Sequence, residues 1–264
     1  MEHPDYETLE LVPAGNVLHV RLNRPDKRNA FNGTVVEELA DCFARIDADP
    51  QARVVVLSGN GKSFSAGADL AWMIEQSELS ERDNAASATR MAGMFLAIAR
   101  CSKPVVARIH GHALGGGSGL TAAADIAVAT HSTVFGLTEV KLGIVPAVIS
   151  PFVMQKIGVG RARALFLTGE RFDGREAERV GLVHRAVAES ELDAEVDRVV
   201  AELLGSGPAA VASAKRLIGV VGALSLEDAI PVTAQWIAAL RATPEAREGM
   251  RAFLDKRPAE WVQQ

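Results

Sequence analysis

The sequence predicts an α/β fold: strands and helices alternate over the first part of the chain, and helices follow. Two observations carry this prediction. A strand, a glycine-rich loop and a helix occur twice in the same order, beginning near residues 53 and 104. From about Pro151 onward, the spacing of the apolar residues is mostly helical. Strands interleaved with helices are typical of a sheet that packs against helices.

The N-terminal segment predicts a β-hairpin followed by a helix. Residues 7–12 and 16–22 alternate between apolar and polar side chains, and the turn-forming sequence P-A-G separates them. A period of two residues is the pattern of a half-buried strand. From Thr34 to Ala48 the apolar residues instead recur at helical spacing.

The next two strands are short and contain runs of β-branched residues. They are R-V-V-V-L-S at residues 53–58 and P-V-V-A-R-I-H at residues 104–110. Strands of this kind are buried on both faces. A glycine-rich loop follows each strand, and the helical pattern then resumes. We therefore predict one α/β core over residues 1–200 and a helical C-terminal region over residues 201–264.

Composition places the chain among ordinary globular proteins. Of the 264 residues, 48% are hydrophobic and 23% are charged, and the net charge is −5. This charge, without a basic tract, argues against a general nucleic-acid surface. No apolar run reaches the ~18 residues of a membrane span, and the first residues do not resemble a signal peptide. We therefore expect a cytoplasmic protein with neither a membrane nor a nucleic acid as partner.

Three well-known motifs nearly match the sequence, and each fails at one residue. The G-K-S at residues 61–63 belongs to a P-loop only if glycine occupies position 56, where Val56 stands. A dinucleotide-binding fingerprint beginning at Gly115 fails at Leu120. The same leucine breaks the G-x-S-x-G pattern around Ser118. We therefore expect Ser118 to support the main chain and not to act as a nucleophile.

The two glycine loops predict a specific use of the main chain. A strand that runs through a glycine loop into a helix leaves N–H groups unpaired at the start of that helix. The segments 64–69 and 114–119 both have this form. N–H groups that converge from two such loops would form an oxyanion hole, which stabilises negative charge on a carbonyl oxygen.

Four motifs occur in a characteristic order and spacing. They are N-R-P-D-K-R-N-A-F at 23–31, S-F-S-A-G-A-D-L at 63–70, G-H-A-L-G-G-G-S-G-L at 111–120 and F-G-L-T-E-V-K-L-G-I-V-P at 135–146. Together they resemble the crotonase family, which contains the enoyl-CoA hydratases and isomerases. The resemblance runs from about residue 7 to Arg257. It implies a spiral of ββα turns with a helical C-terminal trimerisation region, and a homotrimer or a hexamer made of two trimers.

The resemblance also assigns residues to a site for a coenzyme A thioester. The main-chain N–H groups of Ala68 and Gly116 would form the oxyanion hole, so that an enolate can form without a metal. The main chain of Ala66, Asp69 and Leu70 would lie along coenzyme A. Lys27 or Arg28, just before Asn29-Ala30, would meet its phosphates, and Lys256 is also implied in holding it. Lys256 would reach a coenzyme held by a neighbouring subunit. Coenzyme A enters as part of the acyl-CoA substrate, so no tightly bound cofactor is expected.

The sequence departs from the family pattern at one catalytic position. Hydratases of this family use two glutamates, and the later one is present as Glu139, but Gly119 stands where the earlier one belongs. Glu139 would therefore act alone as the acid/base, which is also how the family's isomerases use a single glutamate. Its apolar neighbours predict a raised pKa for the Glu139 carboxyl, which suits proton transfer near neutral pH.

The substrate is predicted from the surroundings of Gly119. A glycine there leaves room and removes a charge that would repel an acidic acyl group. Together with segments 68–73 and 143–151, it resembles bacterial hydratases of 3-methylglutaconyl-CoA and related terpenoid acids. Trp72 and Met73 would line the acyl pocket with Gly119. Two alternatives stay open: an isomerase that moves the double bond between positions 2 and 3, and a non-catalytic protein that binds coenzyme A thioesters.

Overall fold

The computed structural model describes residues 4–262, and the described chain forms nine strands and ten α-helices. The strands are β1 (Leu9–Ala14), β2 (Val17–Leu22), β3 (Val54–Gly59), β4 (Val105–Ile109), β5 (His112–Leu114), β6 (Ile126–Thr130), β7 (Val134–Gly136), β8 (Arg171–Phe172) and β9 (Arg185–Val187). The helices are α1 (Gly33–Ala48), α2 (Leu70–Ser77), α3 (Glu81–Arg100), α4 (Gly116–Ala123), α5 (Ser150–Thr168), α6 (Gly174–Val180), α7 (Leu192–Gly205), α8 (Pro208–Val221), α9 (Leu226–Arg241) and α10 (Pro244–Leu254).

Six strands form the main sheet in the order β1-β2-β3-β4-β6-β9. The predicted hairpin is confirmed, because β1 and β2 are antiparallel with Ala14 opposite Val17. Every later pair in this sheet is parallel. Strands β5, β7 and β8 form a second sheet. The α/β fold predicted from the sequence is therefore confirmed.

Helices cover both faces of the main sheet, which explains why β3 shows no alternation of apolar and polar residues. All six residues of β3 are buried. Val54 and Val56 pack in one core with Leu192 of α7. Val55 and Leu57 belong to the other core, which also contains the buried faces of α1 and α3. Successive side chains of a strand point to opposite faces, so a strand between two cores carries no polar alternation.

The C-terminal helices bury little of their apolar surface. Within the described residues, none of α8 is buried, and the exposed fractions of Leu226 and Phe253 are 83% and 84%. The predicted boundary at residue 200 falls inside α7, whose Val199 and Val200 still pack in the α7 core. The helical C-terminal region is therefore better taken to begin at Ser206. None of the described helices is both long and apolar enough to cross a membrane.

Two short strands interrupt the helical pattern that the sequence predicted after Pro151. Strand β8 pairs with β7 in the second sheet, and β9 adds the last strand to the main sheet. A strand of two or three residues is too short to show an alternating pattern. Neither strand is therefore marked by a periodic pattern of apolar residues in the sequence.

The topology brings the two glycine loops together at one end of the main sheet. Strands β3 and β4 are parallel neighbours, so the segments that follow them leave the sheet at the same edge. The first segment leads into α2, and the second passes through β5 into α4. A parallel bridge between Ser65 and Ala113 joins the two segments. Ligands of open α/β folds bind beyond the carboxyl ends of parallel strands.

Candidate active site

The two glycine loops form one wall of a cavity of about 640 Å³, a volume typical of small-molecule sites. This wall, which we call the loop wall, contains Ala66, Gly67 and Ala68 from the first loop and Gly115 and Gly116 from the second. Cavity-facing residues of α2 and α3 form a second wall, called the helix wall. The segment that precedes α5 provides the remaining apolar lining.

The main-chain N–H of Ala68 points away from the neighbouring segment. The N–H of Phe31 donates to the carbonyl of Gly67 at 2.8 Å, and the N–H of Asp69 donates to the carbonyl of Phe31 at 2.8 Å. Phe31 and Ala68 form a parallel bridge, in which both bonds involve the neighbours of Ala68. The N–H of Ala68 itself therefore faces away from the Phe31 segment. In the described part of the chain, the Ala68 N–H donates to no acceptor.

Gly116 brings a second unpaired N–H to the same wall. It begins α4, and the first N–H groups of a helix have no acceptor within that helix. Gly67 has a φ of 89°, and a Cβ built on it would lie 3.4 Å from the Gly116 nitrogen. The two loops therefore approach closely through Gly67, and they present the Ala68 and Gly116 N–H groups to one cavity.

Glu139 lies beside the glycines of the loop wall. It belongs to a 3₁₀ turn, Thr138–Leu142. A Cβ built on Gly115 would lie 3.1 Å from Glu139 Oε1. Glu139 Oε2 is buried, and it has no hydrogen-bond partner among the described residues. Burial raises the pKa of the Glu139 carboxyl, in agreement with its apolar sequence context.

The expectation that Gly119 opens room in the substrate pocket is wrong. Gly119 is buried but is not part of the cavity lining. A Cβ built on it would lie 2.4 Å from Cγ2 of Ile149 and 3.0 Å from Cε1 of Phe95. These two apolar side chains fill the space, so a glutamate at this position does not fit unless Ile149 moves. Among the described lining residues, Glu139 is the only acid.

The helix wall contains the two predicted acyl-pocket residues and several others. Trp72 and Met73 of α2 line the cavity, as expected, and both are half-buried. The remaining residues of this wall were not predicted from the sequence: Gln76, Ser77, Asn84, Ser87, Ala88 and Met91. A signal was available, because positions three and four residues after Met73 lie on the same helix face.

Of the residues expected to hold coenzyme A, Ala66 and Leu70 line the cavity. Asp69 is not in the lining, and its carboxylate caps α2 by accepting the Ala71 N–H at 3.1 Å, so a contact of its main chain with coenzyme A stays a prediction. The Asp69 carboxylate also lies 3.5 Å from Nη2 of Arg24. The Asp69 side chain therefore has a local structural role.

The remaining expected residues lie outside the lining in the described structure. Ala30 is buried. Lys27 ends a short 3₁₀ helix. Arg28 adopts a left-handed conformation with a φ of 51°, and its carbonyl accepts the Ala66 N–H at 2.9 Å. Lys256 follows α10. Contacts of these residues with coenzyme A stay a prediction.

Ser118 has a structural partner, as the sequence predicts. Its hydroxyl donates to the carbonyl of Ala113 at 2.7 Å, and the residue is fully buried. The two histidines near the second loop are also engaged. His110 Nε2 lies 2.9 Å from the carbonyl of Gly61, and His112 Nδ1 lies 3.2 Å from the Ser63 hydroxyl. These side chains support the loop wall from outside the cavity.

Known proteins match this chain over nearly its whole length. The family model described as enoyl-CoA hydratase/isomerase matches residues 13–264. The crotonyl-CoA hydratase of Syntrophomonas wolfei is 32% identical, covering 97% of this chain and 98% of its own. The mevalonyl-coenzyme A hydratase of Aspergillus fumigatus is 34% identical, covering 98% and 96%. A crystal structure of an enoyl-CoA hydratase from Shewanella pealeana has a TM-score of 0.93 and 34% identity, covering 97% and 96%. The chain belongs to the enoyl-CoA hydratase/isomerase family.

Proposed function

We propose that the protein is a lyase that reversibly adds water to the double bond of a 2-enoyl-CoA thioester. One observation carries the proposal: within the described residues, Glu139 lines the same cavity as the two unpaired main-chain N–H groups, and its buried Oε2 has no hydrogen-bond partner. This arrangement holds a carbonyl oxygen and provides one acid/base beside it. Membership of the enoyl-CoA hydratase/isomerase family supports the reaction class.

In the first half of the reaction, Glu139 acts as a base. The N–H groups of Ala68 and Gly116 donate to the thioester oxygen and polarise the conjugated double bond. The Glu139 carboxylate takes a proton from water, and the hydroxide oxygen bonds to C3. The electron pair of the double bond moves toward the thioester oxygen, where the two N–H groups stabilise the enolate.

In the second half, Glu139 acts as an acid. It returns the proton to C2, and the enolate electrons re-form the thioester carbonyl. The product is the 3-hydroxyacyl thioester, with one hydrogen and one hydroxyl added. A raised pKa suits this double role, because the carboxyl must hold the proton between the two steps. The proton and the hydroxyl arrive on one face of the double bond.

For the acyl group, we propose a methyl-branched, carboxylated chain such as the 3-methylglutaconyl group. The support is the resemblance of segments 68–73 and 143–151, together with the single acidic residue in the described lining. A second carboxylate would repel an acidic acyl group. The name of the Aspergillus relative gives a mevalonyl group, which is itself branched. Gly119 contributes no space to this pocket.

A second candidate is an isomerase that moves the double bond between positions 2 and 3. The observation that favours it is again the single carboxylate, because isomerisation needs only one group to shuttle a proton. Hydration additionally requires Glu139 to hold a water molecule.

For coenzyme A, we propose that the main chain of Ala66 and Leu70 lies along the coenzyme and that Lys27 or Arg28 meets its phosphates. Lys256 of the partner subunit would complete this site in a homotrimer or hexamer. The apolar residues exposed on the C-terminal helices support such an assembly, since large apolar surfaces mark protein interfaces. Light scattering on the purified protein tests the oligomeric state.

A panel of thioesters tests the reaction. Straight, branched and carboxylated 2-enoyl-CoA and 3-enoyl-CoA compounds are each mixed with the protein, and the ultraviolet absorbance of the conjugated enoyl thioester is followed. Hydration removes this absorbance, and isomerisation of a 3-enoyl thioester creates it. We expect hydration to be fastest with the branched, carboxylated compound. A protein that binds these thioesters and converts none of them contradicts both candidates and favours the non-catalytic alternative.

A further inference from the structure

The helix wall contains a buried polar atom that nothing in the described chain satisfies. Gln76, in the last turn of α2, lines the cavity. Its carbonyl oxygen Oε1 is buried and has no hydrogen-bond partner among the described residues. A buried polar group without a partner destabilises the fold, so such a group in a cavity points to a ligand that supplies the missing bond.

Gln76 lies well beyond the reacting end of the site. Helix α2 begins at Leu70, two residues after Ala68 of the proposed oxyanion hole. Gln76 is six residues further on, which corresponds to about 9 Å along the helix axis. Gln76 is therefore placed to meet the far end of an acyl chain whose thioester oxygen sits at Ala68.

The character of the helix wall changes along this length. Trp72 and Met73 make the part nearer the loop wall apolar. Around Gln76 the lining residues are neutral and polar: Ser77, Asn84 and Ser87. Asn84 and Ser87 belong to the first two turns of α3, which follows the end of α2 after three residues. The last turn of α2 and the start of α3 therefore form a polar end to an otherwise apolar wall.

We propose that Gln76 is a specificity-determining residue that binds a hydroxyl group at the far end of the acyl group. The unsatisfied Gln76 Oε1 is an acceptor, so its missing partner is a donor; a hydroxyl can donate to it, whereas an ionised carboxylate only accepts. Its neighbours on this wall add hydroxyl and amide groups. A chain that ends in a methyl group leaves the Gln76 amide buried and unpaired. The inference rests on the proposed function only in that the cavity takes an acyl-CoA thioester.

Two cations also line the cavity and offer an alternative site for a carboxylate. Lys141 and Arg171 are exposed, and they belong to segments outside the helix wall. The stem of Lys141 packs near Gly169, where a built Cβ would lie 3.3 Å from Lys141 Cε. A carboxylate bound by these cations would not depend on Gln76, so a Gln76 variant separates the two sites.

The experiment compares the wild type with Gln76→Leu and Gln76→Glu. The control is Glu75→Leu, which makes a polar-to-apolar change on the same helix at an exposed residue outside the lining. The probes are three saturated acyl-CoA thioesters of equal length that end in a methyl, a hydroxyl or a carboxylate. Calorimetry measures the dissociation constants, and circular dichroism checks that each variant is folded. Because these thioesters have no double bond, binding is measured whether or not the protein is a hydratase.

We expect Gln76→Leu to weaken binding of the hydroxyl-ended thioester about tenfold, which is 1.4 kcal/mol. Binding of the methyl-ended thioester should stay the same or improve, and Glu75→Leu should bind all three like the wild type. Gln76→Glu keeps an oxygen that accepts from a hydroxyl, so it should bind the hydroxyl-ended thioester more tightly than Gln76→Leu does. A loss confined to the carboxylate-ended thioester overturns the inference. Equal effects of Gln76→Leu on all three thioesters, or no effect on any, overturn the inference. Selective binding without turnover of matched 2-enoyl thioesters leaves the inference standing and refutes the proposed function.

Discussion

The loop wall and the helix wall enclose the same cavity but are built in different ways. The loop wall consists of main chain from two glycine loops, held by bonds such as Phe31 to Gly67 and Gly115 to Gly136. The helix wall consists of side chains on α2 and α3, and the last turn of α2 contains Gln76, whose buried Oε1 has no hydrogen-bond partner in the described part of the chain. N–H groups fixed by a backbone network are suited to stabilising charge, because they need no rearrangement during the reaction.

This difference suggests a division of labour between the walls. The groups that would act on the thioester are the Ala68 and Gly116 N–H groups and the nearby Glu139 carboxyl. The groups that would meet the acyl chain are helix side chains, which can change without disturbing the backbone network. Chemistry should therefore depend on the loop wall for every substrate, while the choice of substrate should depend on the helix wall.

The largest expected effect is the loss of Glu139, the proposed acid/base, whose carboxyl lies beside the loop wall. In Glu139→Gln the side chain keeps its shape but cannot take or return a proton. We expect kcat for hydration to fall about 10³-fold, within the range that general acid–base groups contribute. The dissociation constant for a saturated acyl-CoA should change little. Stopped-flow absorbance and calorimetry measure the two quantities, and a variant that keeps full turnover refutes the role of Glu139.

The next effect comes from moving an oxyanion donor. A Cβ on Gly116 would lie 2.5 Å from Cε2 of Phe31, so Gly116→Ala must displace either the buried Phe31 ring or the main chain at Gly116. We expect kcat to fall about 10²-fold, as for other losses of an oxyanion-hole donor. Gly93→Ala is the matched control, because Gly93 is also helical and an added Cβ there meets nothing within 4 Å. Similar activity in both variants would contradict the importance of the Gly116 position.

A smaller effect, on the free energy of unfolding, tests why position 119 is a glycine and not a glutamate. Gly119→Ala should lower the free energy of unfolding by about 1–3 kcal/mol, because the new Cβ meets Ile149. Ile149→Ala removes the contacted methyl group. The double variant should therefore lose less stability than the two single variants together. Urea unfolding of all four proteins measures this coupling, and strictly additive losses would show that Ile149 does not limit position 119.

The smallest expected effect is the pH dependence of the Glu139 contribution to stability. Burial raises the pKa of this carboxyl in the folded state, so the folded state favours its neutral form. The buried Glu139 carboxylate destabilises the folded state. This destabilisation is absent below the pKa of Glu139 in the unfolded chain, about 4.3, and it grows as the pH rises through the raised pKa in the folded state. Glu139→Gln should therefore gain stability over the wild type near pH 7, and the gain should shrink toward pH 4. A gain that grows as the pH falls would contradict the assigned burial.

The sequence predicted the β1–β2 hairpin, α1, β3 and β4 because each has a clear period or a buried β-branched run. It also indicated the loop wall, since clustered glycines next to strands require close main-chain approach. The sequence could not predict which side chains pack against Gly119, because Ile149 and Phe95 reach it only through tertiary packing. The spacing after Met73 could have placed Gln76 on the cavity face of α2, but the sequence does not show that the Gln76 carbonyl oxygen is buried without a partner among the described residues.

The division of labour between the walls has one direct test. Glu139→Asp shortens the acid/base while leaving the helix wall intact. The ratio of kcat/KM for a carboxylate-ended to that for a methyl-ended 2-enoyl-CoA of equal length is measured for this variant and the wild type. We predict that both values fall by the same factor, so that the ratio stays at its wild-type value. A ratio that changes by tenfold or more would show that Glu139 also selects the acyl group, and it would contradict the separation of the two walls.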